Sequence, residues 1–134
     1  MKASSLSFKA AVLFVIAGMA IGIAMAATHD HSVFPAHAHL NLLGWVSLFL
    51  IGIYYRLNPW LDVSRAALVQ VVVWILGTIV LTIGVAAIYL GHPAAEPIAI
   101  VGSLIVFVDM LFFALLVFRP APKDSRSPRL APAE

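Results

Sequence analysis

The run AALVQVVVWILGTIVLTIGVAAIYL, from Ala66 to Leu90, has no Lys, Arg, Asp or Glu over a length sufficient to cross a bilayer. A helix rising ~1.5 Å per residue needs about 20 residues to cross ~30 Å of hydrocarbon, so this stretch predicts a transmembrane helix. Three further runs of similar character lie at about 8–27, 36–57 and 97–118. None of the four alternates apolar with polar residues as a membrane barrel would, which leaves helices to satisfy the backbone in lipid. The whole chain agrees: 63% of its 134 residues are hydrophobic and 10% charged, and its mean hydropathy of +1.04 excludes an ordinary water-soluble domain. The reading is an all-α polytopic membrane bundle of four helices in one domain, residues 1–118, with a flexible tail over 119–134.

The formal net charge of +2 is distributed by loop. Lys2 and Lys9 stand at the start of the first run, Arg56 and Arg65 flank the middle connection, and Arg119, Lys123, Arg126 and Arg129 follow the last run. The connections at 28–35 and 91–96 have no Lys or Arg. The positive-inside rule then predicts cytoplasmic termini and a cytoplasmic middle loop, with the histidine-bearing loops facing outward, the periplasm if the membrane is a bacterial inner membrane. Pro35, Pro59, Pro93 and Pro97 fall at expected helix boundaries, where proline is tolerated. The first run also fits a signal peptide ending at Ala24-Met25-Ala26-Ala27, whereas Gly18, Gly22 and Ala26, four apart, fit close packing of a retained helix. Both readings stay open on the sequence.

There is no cysteine, which excludes disulfides, thiolate metal sites and covalently attached c-type heme. A bound metal or heme must rest on His, Met, Tyr or carboxylate. Phosphate-cradling loops, a hydrolase nucleophile with its base, and a nucleic-acid-binding surface are all missing, so no nucleic-acid partner is expected.

His37 and His39 stand one residue apart at the start of the second run. On a regular helix residues two apart point about 200° from each other, so the pair serves opposite faces and cannot grip one small ion. Two separate ligands suit this geometry, and so do one ligand and one structural hydrogen bond. Two interfacial histidines bonded to water and loop carbonyls are the alternative. His37-Ala38-His39, followed by Leu43-Gly44-Trp45, Gly52, Tyr54-Tyr55 and Pro59, resembles the tenth helix of heme-copper oxidase subunit I. The nearest branch is that of the cytochrome c oxidases with b-type hemes and the nitric oxide reductases. The resemblance implies that His37 corresponds to the high-spin heme ligand and His39 to the low-spin heme ligand, with heme b as cofactor and respiratory electron transfer, or assembly of such a complex, as the role.

That resemblance covers about 25 residues, and the family's catalytic subunit has about twelve helices, further histidines for copper and another for the low-spin heme. No other run here carries a histidine, so oxidase or reductase chemistry would require a homo-oligomer or other respiratory subunits. Outside the runs, His29, Asp30, His31 and His92 share the level of the histidine pair, and the cluster is a candidate copper or zinc site whose alternative is a solvated loop. A histidine-cluster metal-binding or ligand-sensing membrane protein without heme is therefore the competing function. Asp109 lies near the bilayer middle, roughly 12 Å deeper than His39. It is a candidate for proton handling, or for packing against Ser47, Thr78 or Thr82. Asn41, Gln70, Ser103, Thr78 and Thr82 are expected to link helices. Gly44, Gly77, Gly84 and Gly102 are expected at close contacts, Tyr54, Tyr55 and Trp60 in the interfacial aromatic belt, and Trp45 and Trp74 at the edge of a heme.

Overall fold

The computed structural model describes residues 1–122, so the tail read over 119–134 lies outside the described residues from position 123 onward. The described residues form helices and turns with no strand. Four helices are long and apolar enough to cross a membrane. They are α1 (Ala3–Thr28), α2 (Phe34–Leu57), α4 (Arg65–Tyr89) and α5 (Glu96–Val117), with a short α3 (Pro59–Asp62) between α2 and α4. A 3-10 turn, Pro93–Ala95, leads into α5. The apolar runs locate all four spans, and Pro35, Pro59, Pro93 and Pro97 each stand in a first helical turn.

The regular helix expected for the histidine-bearing span is corrected by the structure, because Leu40–Ser47 winds as a π-helix. Within the π winding the Leu43 carbonyl accepts the Leu48 backbone N–H, and side chains of neighbouring helices add bonds to carbonyls in and just beyond this stretch. Trp74 Nε1 donates to the carbonyl of Leu43 at 3.0 Å. Ser7 Oγ donates to the carbonyl of Leu48 at 2.5 Å. The π stretch is thus pinned to α4 and to α1.

Small residues set the remaining distances. On α1, Gly18 leaves room for the Asn41 amide and Gly22 for the His37 ring. Phe14 and Phe8 fill the spaces over Gly44 and Gly52 of α2. The backbones of α4 and α5 come close enough that a Cβ on Gly84 would stand 2.5 Å from the Ala99 nitrogen, and one on Gly102 would collide with the Leu81 backbone. Helices in lipid associate through this kind of close packing, since burial from water contributes little between them.

α1 begins well before the expected boundary near residue 8, and Asp62 explains why. Its Oδ1 accepts the Ser4 backbone N–H at 2.7 Å and its Oδ2 accepts the Ser4 hydroxyl at 2.8 Å. Asp62 is 2% exposed and Ser4 1%. A carboxylate at a helix N-terminus satisfies otherwise unbonded N–H groups and complements the positive end of the helix dipole. α3 therefore serves to fold Asp62 back beneath α1.

α1 packs on α2 and more lightly on α4, α2 packs on α4, and α4 packs on α5. At the end bearing Arg56 and Arg65, α2 and α5 meet: Tyr54 Oη donates to the Val117 carbonyl at 3.3 Å, and Phe113 stands edge-on to Tyr54 and Tyr55. Toward the histidine end they part, and a groove opens over α4. Replacing Asp62 by Ala removes both acceptors from a buried N–H and hydroxyl. Thermal unfolding in detergent is expected to show a loss of about 1–3 kcal/mol, whereas an Ala replacement of exposed Arg56 is expected to leave stability within about 0.5 kcal/mol.

Candidate functional site

The groove encloses about 490 Å³ between α2 and α5, with α4 as its floor. His39 and Leu42 stand on the α2 wall, Trp74 and Leu81 on the floor, and Phe107 and Met110 on the α5 wall. Volumes of about 300–1,000 Å³, apolar walls and a few convergent polar groups characterise cofactor sites. The imidazole of His39 is the titratable side chain that lines this one.

Its orientation is fixed by its own helix. His39 Nδ1 lies 2.7 Å from the Pro35 carbonyl oxygen, one turn earlier. A carbonyl only accepts, so this contact places the proton on Nδ1 and leaves the Nε2 lone pair free to coordinate. A backbone carbonyl holding the far nitrogen is the usual support of a metal-ligating histidine. The arrangement leaves one imidazole nitrogen able to coordinate a metal at the wall of an apolar cavity.

His37 faces the other way, as the spacing requires. Its ring packs over Gly22 of α1, and the Asn41 amide lies 3.3 Å from its Nδ1 and donates to its carbonyl at 2.9 Å. The phenyl ring of Phe34 stands 6.4 Å away, centroid to centroid. His37 and His39 are thus both half-buried, one wedged between α1 and α2 and one opening on the groove.

The remaining histidines lie apart from the groove. His29 takes a left-handed φ of 56° just after α1, a conformation that ends the helix. His31 Nδ1 lies 3.3 Å from the His29 carbonyl oxygen, and His92 is exposed in the other loop. The Ser32 backbone N–H donates to Asp30 Oδ1 at 2.9 Å and holds that carboxyl below the usual carboxylate range. Among the described residues, no three His, Cys, Asp or Glu side chains gather into a metal-holding group. His29, Asp30 and His31 each have a local role in the turn instead.

Asp109 is 3% exposed, and its partners differ from those expected. Gln70 Nε2 donates to Asp109 Oδ2 at 2.7 Å, and Tyr55 Oη donates to Gln70 Oε1 at 2.8 Å. The chain Tyr55, Gln70, Asp109 ties α2, α4 and α5 together below the groove. Tyr55 is 0% exposed, which corrects its assignment to the interfacial belt. Of the five residues expected to link helices, Gln70 does so. Asn41 and Ser103 bond to carbonyls of their own helices, and the buried hydroxyls of Thr78 and Thr82 have no partner among the described residues. Trp74 lines the groove and also bonds Leu43, so its indole has a structural task beside any ligand contact.

Sequence reading missed Asp62, Ser4 and Ser7. The available signal was one acidic residue between Arg56 and Arg65, and two serines spaced by three at the start of α1. Gln70→Leu would leave the buried carboxyl of Asp109 and hydroxyl of Tyr55 unbonded, with an expected cost of about 1–3 kcal/mol in detergent unfolding. Asp109→Asn, which keeps an acceptor for Gln70, is expected to cost less. Comparison of the chain with models of known families, with curated proteins and with solved structures returned no match.

Proposed function

We propose that this is an integral membrane protein that binds heme b in the groove between α2 and α5, with His39 as an axial ligand through Nε2. The observation that carries the reading is the 2.7 Å contact of His39 Nδ1 with the Pro35 carbonyl, which readies the opposite nitrogen at the wall of an apolar cavity. Heme bound there would supply one-electron redox chemistry. The protein's own contribution is to fix the imidazole tautomer, to exclude water with Leu42, Leu81 and Phe107, and to hold the α2 wall in register through the Trp74 bond to Leu43.

The resemblance of the α2 sequence to heme-copper oxidase subunit I supports a role in respiratory electron transfer or in assembly of such a complex. Ligation is assigned to His39 alone, because the His37 ring is occupied by Gly22 and Asn41. The loop charges support cytoplasmic termini and an outward, periplasmic histidine end in a bacterial inner membrane. Retention of α1 is part of the proposal. Without it the Asp62 carboxylate and the Leu48 carbonyl would lose their partners. The groove opens toward lipid, so a second copy or another respiratory subunit is proposed to cover it. Oxidase or nitric oxide reductase turnover belongs to that assembly. The outer histidines carry no copper or zinc proposal, since they do not converge.

The test is an absorption spectrum of protein purified from cells supplied with ample heme. A Soret band is expected in the wild type and in His37→Ala, with at least a tenfold loss in His39→Ala despite folded protein. A colourless wild type beside a filled control cytochrome, or undiminished pigment in His39→Ala, overturns the reading.

A further inference from the structure

We infer that Asp109 is a proton-binding site within the bilayer, whose carboxyl takes up and releases one proton at Oδ1 with no part played by heme. The side chain lines a second groove of about 440 Å³ on the α4 and α5 face, walled by Val73, Leu104, Ile105, Val108 and Phe112. Leu104 is 57% exposed and Val108 61%, so this groove opens to lipid. Among its lining residues Asp109 alone titrates.

A packing role accounts for one of the two carboxyl oxygens. Gln70 Nε2 donates to Oδ2 at 2.7 Å, and an amide at position 109 would tie α4 to α5 through the same bond. Oδ1 is left over. Among the described residues the buried side-chain oxygens and nitrogens without a partner are the hydroxyls of Thr78 and Thr82. Oδ1 bonds no described donor and is not one of them, so it reaches the surface of the groove. With a proton on Oδ1, Oδ2 becomes the carbonyl oxygen of a neutral acid and still accepts from Gln70, which still accepts from Tyr55. Charged and neutral forms therefore keep the same two interhelical bonds, and loading requires no repacking of α2, α4 and α5.

The surroundings supply no counter-charge. An ionised carboxylate in hydrocarbon without a cation beside it is expensive, and a neutral acid far less so. Between Ala66 and Leu90 there is no Lys, Arg, His, Asp or Glu. Arg119 is ten residues on from Asp109, roughly 15 Å along the helix, and Arg56 and Arg65 lie at that same end. Tyr55 is the titratable group that faces Asp109 from α2, through Gln70, with Tyr54 beside it, and His39 opens on the other groove. Asp62 is the contrast, since both its oxygens take donors at the positive end of α1. Uptake at Asp109 converts the carboxylate and a hydronium ion into the acid and water, and release reverses it.

The experiment uses the purified full chain in phospholipid vesicles, with infrared difference spectra over a pH titration and labelling by dicyclohexylcarbodiimide, an apolar reagent for protonated carboxyls. In that labelling the acid O–H adds across a C=N bond, and transfer of the acyl group to nitrogen leaves an N-acylurea with no atom lost. The wild type is expected to show a carboxylic-acid C=O band at neutral pH that shifts in heavy water and fades reversibly at alkaline pH. Asp109→Asn, which keeps the acceptor for Gln70, is expected to lack that band, and Glu96→Gln to retain it. Peptide mass mapping of the wild type is expected to find the label on Asp109, and a membrane-impermeant carbodiimide is expected to leave Asp109 unmodified. That mapping needs no variant, so it stands whatever Asp109→Asn does to folding. Wild-type and Asp109→Asn spectra that coincide throughout the titration would overturn the proposal and leave Asp109 a packing residue. A band that neither shifts in heavy water nor fades would also overturn it, since the acid would then be locked. Label on Asp109 from the impermeant reagent, or none from the apolar one, would overturn the groove as the open side of the site.

Discussion

In an apolar medium every buried polar group needs a partner from within the protein, and around the π-wound stretch of α2 that need ties three spans together. From Leu40 to Ser47 the ladder is widened, and the Leu43 and Leu48 carbonyls are met by Trp74 of α4 and Ser7 of α1. Both bonds join elements distant in sequence. The two bonds hold α4 and α1 against α2 at the level of this stretch. The buried Trp74 indole and the buried Ser7 hydroxyl find their acceptors on this helix, so the burial of each is matched by a bond.

The placement of the histidines follows from that geometry. His37 and His39 precede the widened turns, where α-helical spacing still sends them to opposite sides. α1 approaches closely on one side because Gly18 and Gly22 admit Asn41 and His37, while on the other side α5 diverges and leaves room beside His39. One ring is consumed by packing and the other keeps a free nitrogen. The distinction lies in the neighbours of α2 rather than in the pair itself.

The four spans, the proline boundaries and the glycine contacts were legible because each depends on composition or on spacing within a single helix. The opposed directions of the histidine pair were legible for the same reason. The π stretch was not, since Leu40-Asn41-Leu42-Leu43-Gly44-Trp45 contains no residue type that demands it and the indole that bonds to it comes from far away in the chain. Nor could spacing select Gln70 as the partner of Asp109. Thr78 and Thr82 were equally plausible on periodicity, and only the rotation of α4 against α5 brings Gln70 into reach while leaving both hydroxyls unbonded. Tyr55 reads as interfacial because it sits beside Arg56, yet the meeting of α2 with Phe113 of α5 encloses it.

The Asp62 carboxylate and the Ser4 amide it receives are 58 positions apart. During synthesis the leading end of the first span emerges well before its acceptor, and the ribosome must deliver the second span and the turn beyond it before the two can join. Insertion and closure of this end are consequently separate events for this chain, with the opening segment held by its apolar length and its packing on the second span until its counterpart arrives.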